Sequence, residues 1–275
     1  MVAENTKRSA FETRIHEIDL WRGILMLLVI IDHLFNLFMS YNRGWAQVDL
    51  GNNIEPFYTI FRIAQFYWDH PVRMVVRWIC LGSFCFVSGI SCAFSRNNWK
   101  RAGQMIVFWI IILGGSNILD TIMKTYEHDW GVRSLRVDFN VIGVLAWSML
   151  IYCFIQDKHW KWLIIVGGVA LLLHPVCVLL SWTEWGKHAY VPMFWEPARE
   201  IADQADYMPL LPYFSFFIGG ALLSKFTYGV EKKSYFKRYN WERPICFVGR
   251  HSLLIYCAHF FILIGIFSLV GLFIK

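Results

Sequence analysis

Charge is what this 275-residue sequence has least of: Asp, Glu, Lys and Arg make up 17% of it, against 57% hydrophobic and 18% aromatic residues, with a mean hydropathy of +0.43. Soluble domains carry about 25% charged and about 45–50% apolar residues. Here the uncharged residues are gathered into a few long apolar stretches, which excludes an intrinsically disordered chain and argues against an ordinary soluble enzyme. Metal signatures are missing: neither HExxH nor paired CxxC occurs, so no metal is expected. There is also no Gly-rich phosphate loop and no Gly-x-Ser-x-Gly nucleophile elbow. The seven cysteines are an odd number and six lie in apolar segments, so they read as small buried thiols rather than a disulfide framework. The net charge of +6 is scattered between apolar runs and forms no continuous basic face, so nucleic acid is not an expected partner.

What is present is a series of apolar runs of membrane-crossing length. A bilayer core about 30 Å thick needs about 20 apolar residues in helix. Seven segments qualify: Ile18–Tyr41, Val72–Ser95, Ala102–Met123, Phe139–Ile155, Trp160–Trp182, Tyr207–Tyr228 and Ser252–Ile274. The expected fold class is therefore all-α, a polytopic membrane helix bundle forming a single domain over residues 1–275, with the lipid bilayer as its partner. Lys and Arg are more frequent on the side that holds the N-terminus, chiefly in Lys225–Arg250, so the N-terminus is expected in the cytoplasm. The segments on the other side, Asn42–Pro71, Lys124–Asp138 and Thr183–Asp206, are longer and hold Trp45, Tyr58, Tyr67, Trp68, Trp130, Trp185 and Trp195. These aromatics read either as an interfacial belt or as sugar-stacking platforms.

Ionisable residues within spans are expensive and mark functional paths. The first span holds Asp32, His33 and Asn36, with Asn36 one helical turn from either neighbour. By the helical rise, Asp32 lies about 13 Å and Arg77 about 8 Å from the outer ends of their helices, so Arg77 is the expected partner of Asp32. A neutral imidazole such as His33 can accept a proton from an attacking amine or hydroxyl. Asn117, Asp120, Asn140, His174 and His259 are the other polar groups in apolar surroundings. Arg77, Asn36 and Asn117 are the candidate donors to a carbonyl oxyanion. Arg22, Arg101, Arg250 and, deeper, His259 are the candidates for a cytosolic phosphate-bearing ligand, within a basic cluster that also holds Arg96, Lys100, Lys232, Lys233, Lys237 and Arg238. Gly82, Gly89, Gly114–Gly115 and Gly219–Gly220 read as close helix packing.

Several motifs, taken in order, resemble one family. They are Ile18-Asp19-Leu20-Trp21-Arg22-Gly23 followed by Ile31-Asp32-His33, then Phe86-Val87-Ser88-Gly89-Ile90-Ser91, Pro209-Leu210-Leu211-Pro212-Tyr213 with Gly219-Gly220, and Gly249-Arg250-His251-Ser252-Leu253-Leu254-Ile255-Tyr256 leading to His259. Together these resemble the bacterial relatives of heparan-α-glucosaminide N-acetyltransferase, within the transmembrane acyltransferase superfamily. The resemblance covers residues 14 to 262. It implies transfer of an acetyl group from cytosolic acetyl-CoA to an amino sugar, or a glycan hydroxyl, across a bacterial plasma (inner) membrane. It also implies His33 as the base, with Asp32 orienting it or holding Arg77. A transporter or flippase for a glycan or small solute is the alternative, and a homo-oligomer stays open.

Overall fold

The computed structural model describes residues 15–45, 57–92, 95, 97–125, 134–189, 191–196, 204–228 and 234–274. These residues form helices and connecting segments only: α1 (His16–Trp45), α2 (Phe57–Asp69), α3 (Pro71–Cys92), α4 (Asn98–Thr125), α5 (Val141–Ile155), α6 (Trp160–Ser181), α7 (Glu184–His188), α8 (Tyr213–Phe226), α9 (Glu242–Arg250) and α10 (Ser252–Ile274). Among them α1, α3, α4 and α6 are long and apolar enough to cross a membrane, and α9 with α10, bent by 86°, pass together as a fifth. The apolar helices α5 and α8 have 15 and 14 residues, so they are shorter than a span needs. The expected Tyr207–Tyr228 span thus begins as helix only at Tyr213.

The bundle's exterior has the composition of a soluble protein's interior. The consecutive leucines Leu171, Leu172 and Leu173 on α6 are all exposed, Leu172 by 74%, and Ile110 and Ile111 on α4 are exposed as well. A surface covered this thoroughly in large apolar side chains is matched to hydrocarbon, not water. The protein is an integral membrane helix bundle.

Two close crossings set its frame. A Cβ at Gly249 would run into the Asp19 carbonyl, and one at Gly23 into the Ile245 carbonyl, so α9 lies across the start of α1 at backbone contact. In the same way Gly89 meets Phe217 and Gly220 meets Phe86, which locks α3 along α8. Only glycine permits such approach, and membrane helices gain van der Waals contact from it. The Gly89 and Gly220 expectations hold. Gly114 and Gly115 face open space, so they take no part in packing among the described residues.

Call the end of the bundle at which α1 begins the near end. α1 runs away from it, and α3 returns, since Arg73 meets Asp32 while Ser91 meets Arg22. α5 and α8 form the centre, with Val144, Ala146, Phe217 and Ala221 fully buried. Their lengths by helical rise are only about 21–23 Å, so both start below the far surface. Two connecting segments descend to meet them and pair with each other: Ala205 N–H donates to Arg136 O (2.8 Å) and Met208 N–H to Phe139 O (2.9 Å). Asn140 then caps α5, accepting from the N–H groups of Ile142 and Gly143.

Candidate active site

The expected pairing of Asp32 with Arg77 is replaced by one with Arg73. Its Nε donates to Asp32 Oδ1 (2.8 Å) and its Nη2 to Oδ2 (3.0 Å), a two-pronged ion pair. The reason is a helix that lies in a region read from sequence as a loop. α2 presents Tyr67, whose hydroxyl donates to Asp32 Oδ1 (2.9 Å), and Trp68, whose ring lies 3.4 Å from the Arg73 guanidinium carbon. Stacked on indole and forked onto the carboxylate, Arg73 has an 8% exposed side chain, Asp32 22%. Burial, then the bond to the Asp32 carboxylate, pushes the Tyr67 phenol up to about 12, so it remains a donor at neutral pH. The outcome is a staple joining α1, α2 and α3 immediately beside His33.

Arg77 lies one turn further along α3, bracketed between the α1 contacts of Arg73 at Asp32 and of Cys80 at the Leu25 carbonyl. It makes no hydrogen bond or ion pair among the described residues, so its donors are uncommitted. Asn36 is half-buried on the same helix as His33 and is likewise uncommitted. Asn117 is different. Its amide donates to the Leu113 carbonyl (2.8 Å) and to Asp138 Oδ1 (3.3 Å), which uses both N–H groups, so the expected oxyanion role falls away.

His33 faces another histidine. Its Nδ1 lies 3.0 Å from the Val29 carbonyl and 3.2 Å from His259 Nε2, and the ring centroids are 4.9 Å apart. The acceptors fix the tautomers. A carbonyl oxygen only accepts, so His259 Nδ1, 2.7 Å from the Tyr256 carbonyl, carries a proton. In the neutral ring this leaves His259 Nε2 as a lone pair, which accepts the His33 Nδ1–H that also faces Val29. By elimination, neutral His33 carries its free lone pair on Nε2. One imidazole thus supports another, as a carboxylate supports the histidine of a hydrolase triad.

His259 therefore stands apart from the arginines with which it was grouped, since about three helical turns separate Arg22 from His33. Those arginines converge at the near end. Arg22 Nη2 donates to Ser91 Oγ (2.6 Å), Arg101 Nη1 to the Ser91 carbonyl (3.1 Å), and Arg250 Nε to Asp19 Oδ2 (3.1 Å). Lys237 and Arg238 are exposed there, while Arg96, Lys232 and Lys233 lie outside the described residues, as does Trp130. Asp120 holds the Ser134 hydroxyl and the Leu135 N–H, and pairs with Lys124, so it serves the fold of the far-end segment. No cluster of three or more His, Cys, Asp or Glu fit to hold a metal occurs among the described residues.

Sequence reasoning named Tyr67 only among the aromatics between spans and gave no site role to Arg73, Tyr256 or Asp206. Asn140 Nδ2 donates to Tyr256 Oη (3.4 Å), and the Tyr256 hydroxyl donates to Asp206 Oδ2 (2.9 Å). The Tyr256 ring packs against His259 with centroids 5.4 Å apart. Only the position of Asp206, three residues before the Pro209–Tyr213 motif, could have drawn notice to it.

A histidine pair within a membrane bundle, with a cluster of arginines at the near end, offers groups suited to membrane acyl transfer. Comparison gives the family. The catalytic-domain profile described as heparan-alpha-glucosaminide N-acetyltransferase, catalytic, matches residues 14–261, and the chain belongs to that family of membrane acetyltransferases. Comparison with curated protein sequences and with solved structures gave no significant match.

Proposed function

We propose that this protein takes the acetyl group of cytosolic acetyl-CoA and delivers it to the amine of an amino sugar, or to a glycan hydroxyl, on the extracytoplasmic side of a bacterial plasma membrane. The observation that carries the reading is the His33–His259 pair, with the base lone pair on His33 Nε2. The acceptor nitrogen attacks the thioester carbonyl carbon, its proton passes to His33 Nε2, and the C–S bond breaks to release the CoA thiolate, which takes up a proton as free CoA. His259 accepts the His33 Nδ1–H throughout, and that bond strengthens when His33 becomes an imidazolium. Arg77 is the donor best suited to the oxyanion, because its guanidinium is uncommitted and sits one turn from the Asp32–Arg73 staple. Asn36 is second to it. Asp32 fixes α1 through Arg73 and Tyr67 and so orients His33 indirectly.

Arg22, Arg101 and Arg250 are the residues that would meet the CoA phosphates at the near end, which this reading assigns to the cytoplasm. Purified protein with acetyl-CoA and glucosamine tests the reading directly. Acceptor-dependent release of CoA with formation of acetylated sugar is expected, and His33→Ala lowers it to a small residual rate while keeping CoA binding. Movement of sugar across vesicles without consumption of acetyl-CoA overturns the reading in favour of transport.

A further inference from the structure

The hydrogen-bond chain that ends at Asp206 has an unused terminus. Asn140, 3% exposed, is fixed by its cap on α5; it donates to Tyr256, and Tyr256 donates to Asp206 Oδ2. The backbone on either side of Asp206 is pinned through the bonds of Ala205 and Met208 to the 134–140 segment. Asp206 Oδ1, by contrast, has no partner among the described residues, although the residue is half-buried. A carboxylate so fixed, with one oxygen held and one open, is a preorganised hydrogen-bond acceptor. It is joined to the catalytic pair through Tyr256, whose ring packs against His259 with centroids 5.4 Å apart. Beside it, Gln204 places a buried Nε2 that has no partner among the described residues, its Oε1 already accepting from the Asp138 N–H.

Resting on the acetyltransfer reading above, we propose that Asp206 is the acceptor-selecting residue: its free oxygen accepts a hydroxyl of a sugar ring whose amine is presented to His33. Among the described residues Asp206 bonds to neither histidine and is linked to His259 only through Tyr256, so the group read by Asp206 is not the reacting amine but a hydroxyl elsewhere on the same molecule. A ring amine without hydroxyls leaves this acceptor unpaired. Sites built to bond a substrate hydroxyl discriminate strongly against the analogue that lacks it.

The test compares glucosamine with cyclohexylamine as acceptors, in wild type, Asp206→Ala, Asp206→Asn and Tyr256→Phe. Asp206→Ala is expected to raise KM for glucosamine about 10- to 100-fold, as loss of a charged hydrogen bond does. KM for acetyl-CoA and turnover of cyclohexylamine should stay within about twofold of wild type. Asp206→Asn, which keeps an acceptor oxygen, recovers part of the preference. Tyr256→Phe keeps the carboxylate and loses only the tether, so it retains more of the preference than Asp206→Ala. If Asp206→Ala depresses both amines equally, or if Tyr256→Phe reproduces it in full, Asp206 only supports the fold and the proposal is overturned. Normal glucosamine kinetics in Asp206→Ala also overturns it while leaving acetyl transfer intact. Failure of the wild type to acetylate either amine overturns the functional reading itself, and this inference with it.

Discussion

His259→Phe isolates the support that one imidazole gives the other. Phenylalanine fills the same space beside Tyr256 and keeps the apolar contacts of α10, but it removes the acceptor 3.2 Å from His33 Nδ1. In the acetyltransfer reading His33 gains a proton, so the Nδ1–H bond changes from neutral to charge-assisted, and such bonds contribute about 1.5–3 kcal/mol. The Val29 carbonyl, 3.0 Å from the same nitrogen, remains as a second acceptor and retains part of that contribution. The net loss is then about 1.5–2 kcal/mol, which corresponds to a fall in kcat of about 10- to 30-fold. Since Val29 still fixes the tautomer, His33 keeps its lone pair on Nε2 and residual activity persists. KM for acetyl-CoA should stay within about twofold. The decisive measurement is a double-mutant cycle. If His259 acts through His33, adding His259→Phe to a His33→Ala protein changes the remaining rate by less than about twofold. A full 10-fold cost in that background, or none in the wild-type background, refutes the relay.

The remaining predictions concern stability and the near end. Asp32→Asn leaves the stacked Arg73 guanidinium without a counter-charge and should lower stability by about 3 kcal/mol, read as detergent-resistant thermal unfolding, whereas Arg77→Gln changes stability by less than about 1 kcal/mol but lowers kcat. Gly249→Ala forces α9 away from the Asp19 carbonyl at a cost of about 1–3 kcal/mol and should also slow turnover, because α10 and His259 follow α9; intact expression with normal kinetics would show that the crossing does not position the pair. Arg22→Gln and Arg101→Gln should each raise KM for acetyl-CoA about 10-fold with little effect on KM for the acceptor, and an unchanged KM in both would place the nucleotide elsewhere.

Hydrocarbon imposes a length and a composition, which is why the long spans could be read from sequence. α6 follows Trp160–Ser181 against an expected Trp160–Trp182, and α10 follows Ser252–Ile274. His33 could be singled out for a related reason: an ionisable side chain in that setting demands a function. What surrounds His33 was not legible. α2 has only 13 residues, too few for a span, so the staple it carries was invisible and the nearer arginine was passed over for Arg77. His259 is 226 residues from His33, and its helical depth alone places it toward the opposite side of the membrane. The 86° break between α9 and α10 removes that separation: α9 lies across the first turns of α1, so α10 begins well along α1 rather than beside its start.

That break links fold and chemistry. Gly23 and Gly249 let α9 touch the α1 backbone, and the bond of Arg250 to Asp19 holds the end of α9 in place. From there α10 rises alongside α1 and stays in register, since Phe267 packs on Phe38 at a centroid distance of 5.6 Å. His259 meets His33 partway along this pairing. The near-end cluster of Arg22, Arg101 and Arg250 sits on the same crossing, so a ligand drawing on Arg250 competes with Asp19 for the group that fixes α9. In the acetyltransfer reading, occupation of the CoA site and the alignment of the two histidines are then mechanically connected through nine residues of α9. Arg250→Lys tests the connection. A lysine keeps the charge near Asp19 but lacks the guanidinium's forked donor geometry. It should raise KM for acetyl-CoA by several-fold and lower kcat as well, whereas Arg101→Gln, which touches Ser91 and not α9, should change KM alone. Equal KM-only effects in the two variants would show that the arginines bind and that α9 is a passive strut.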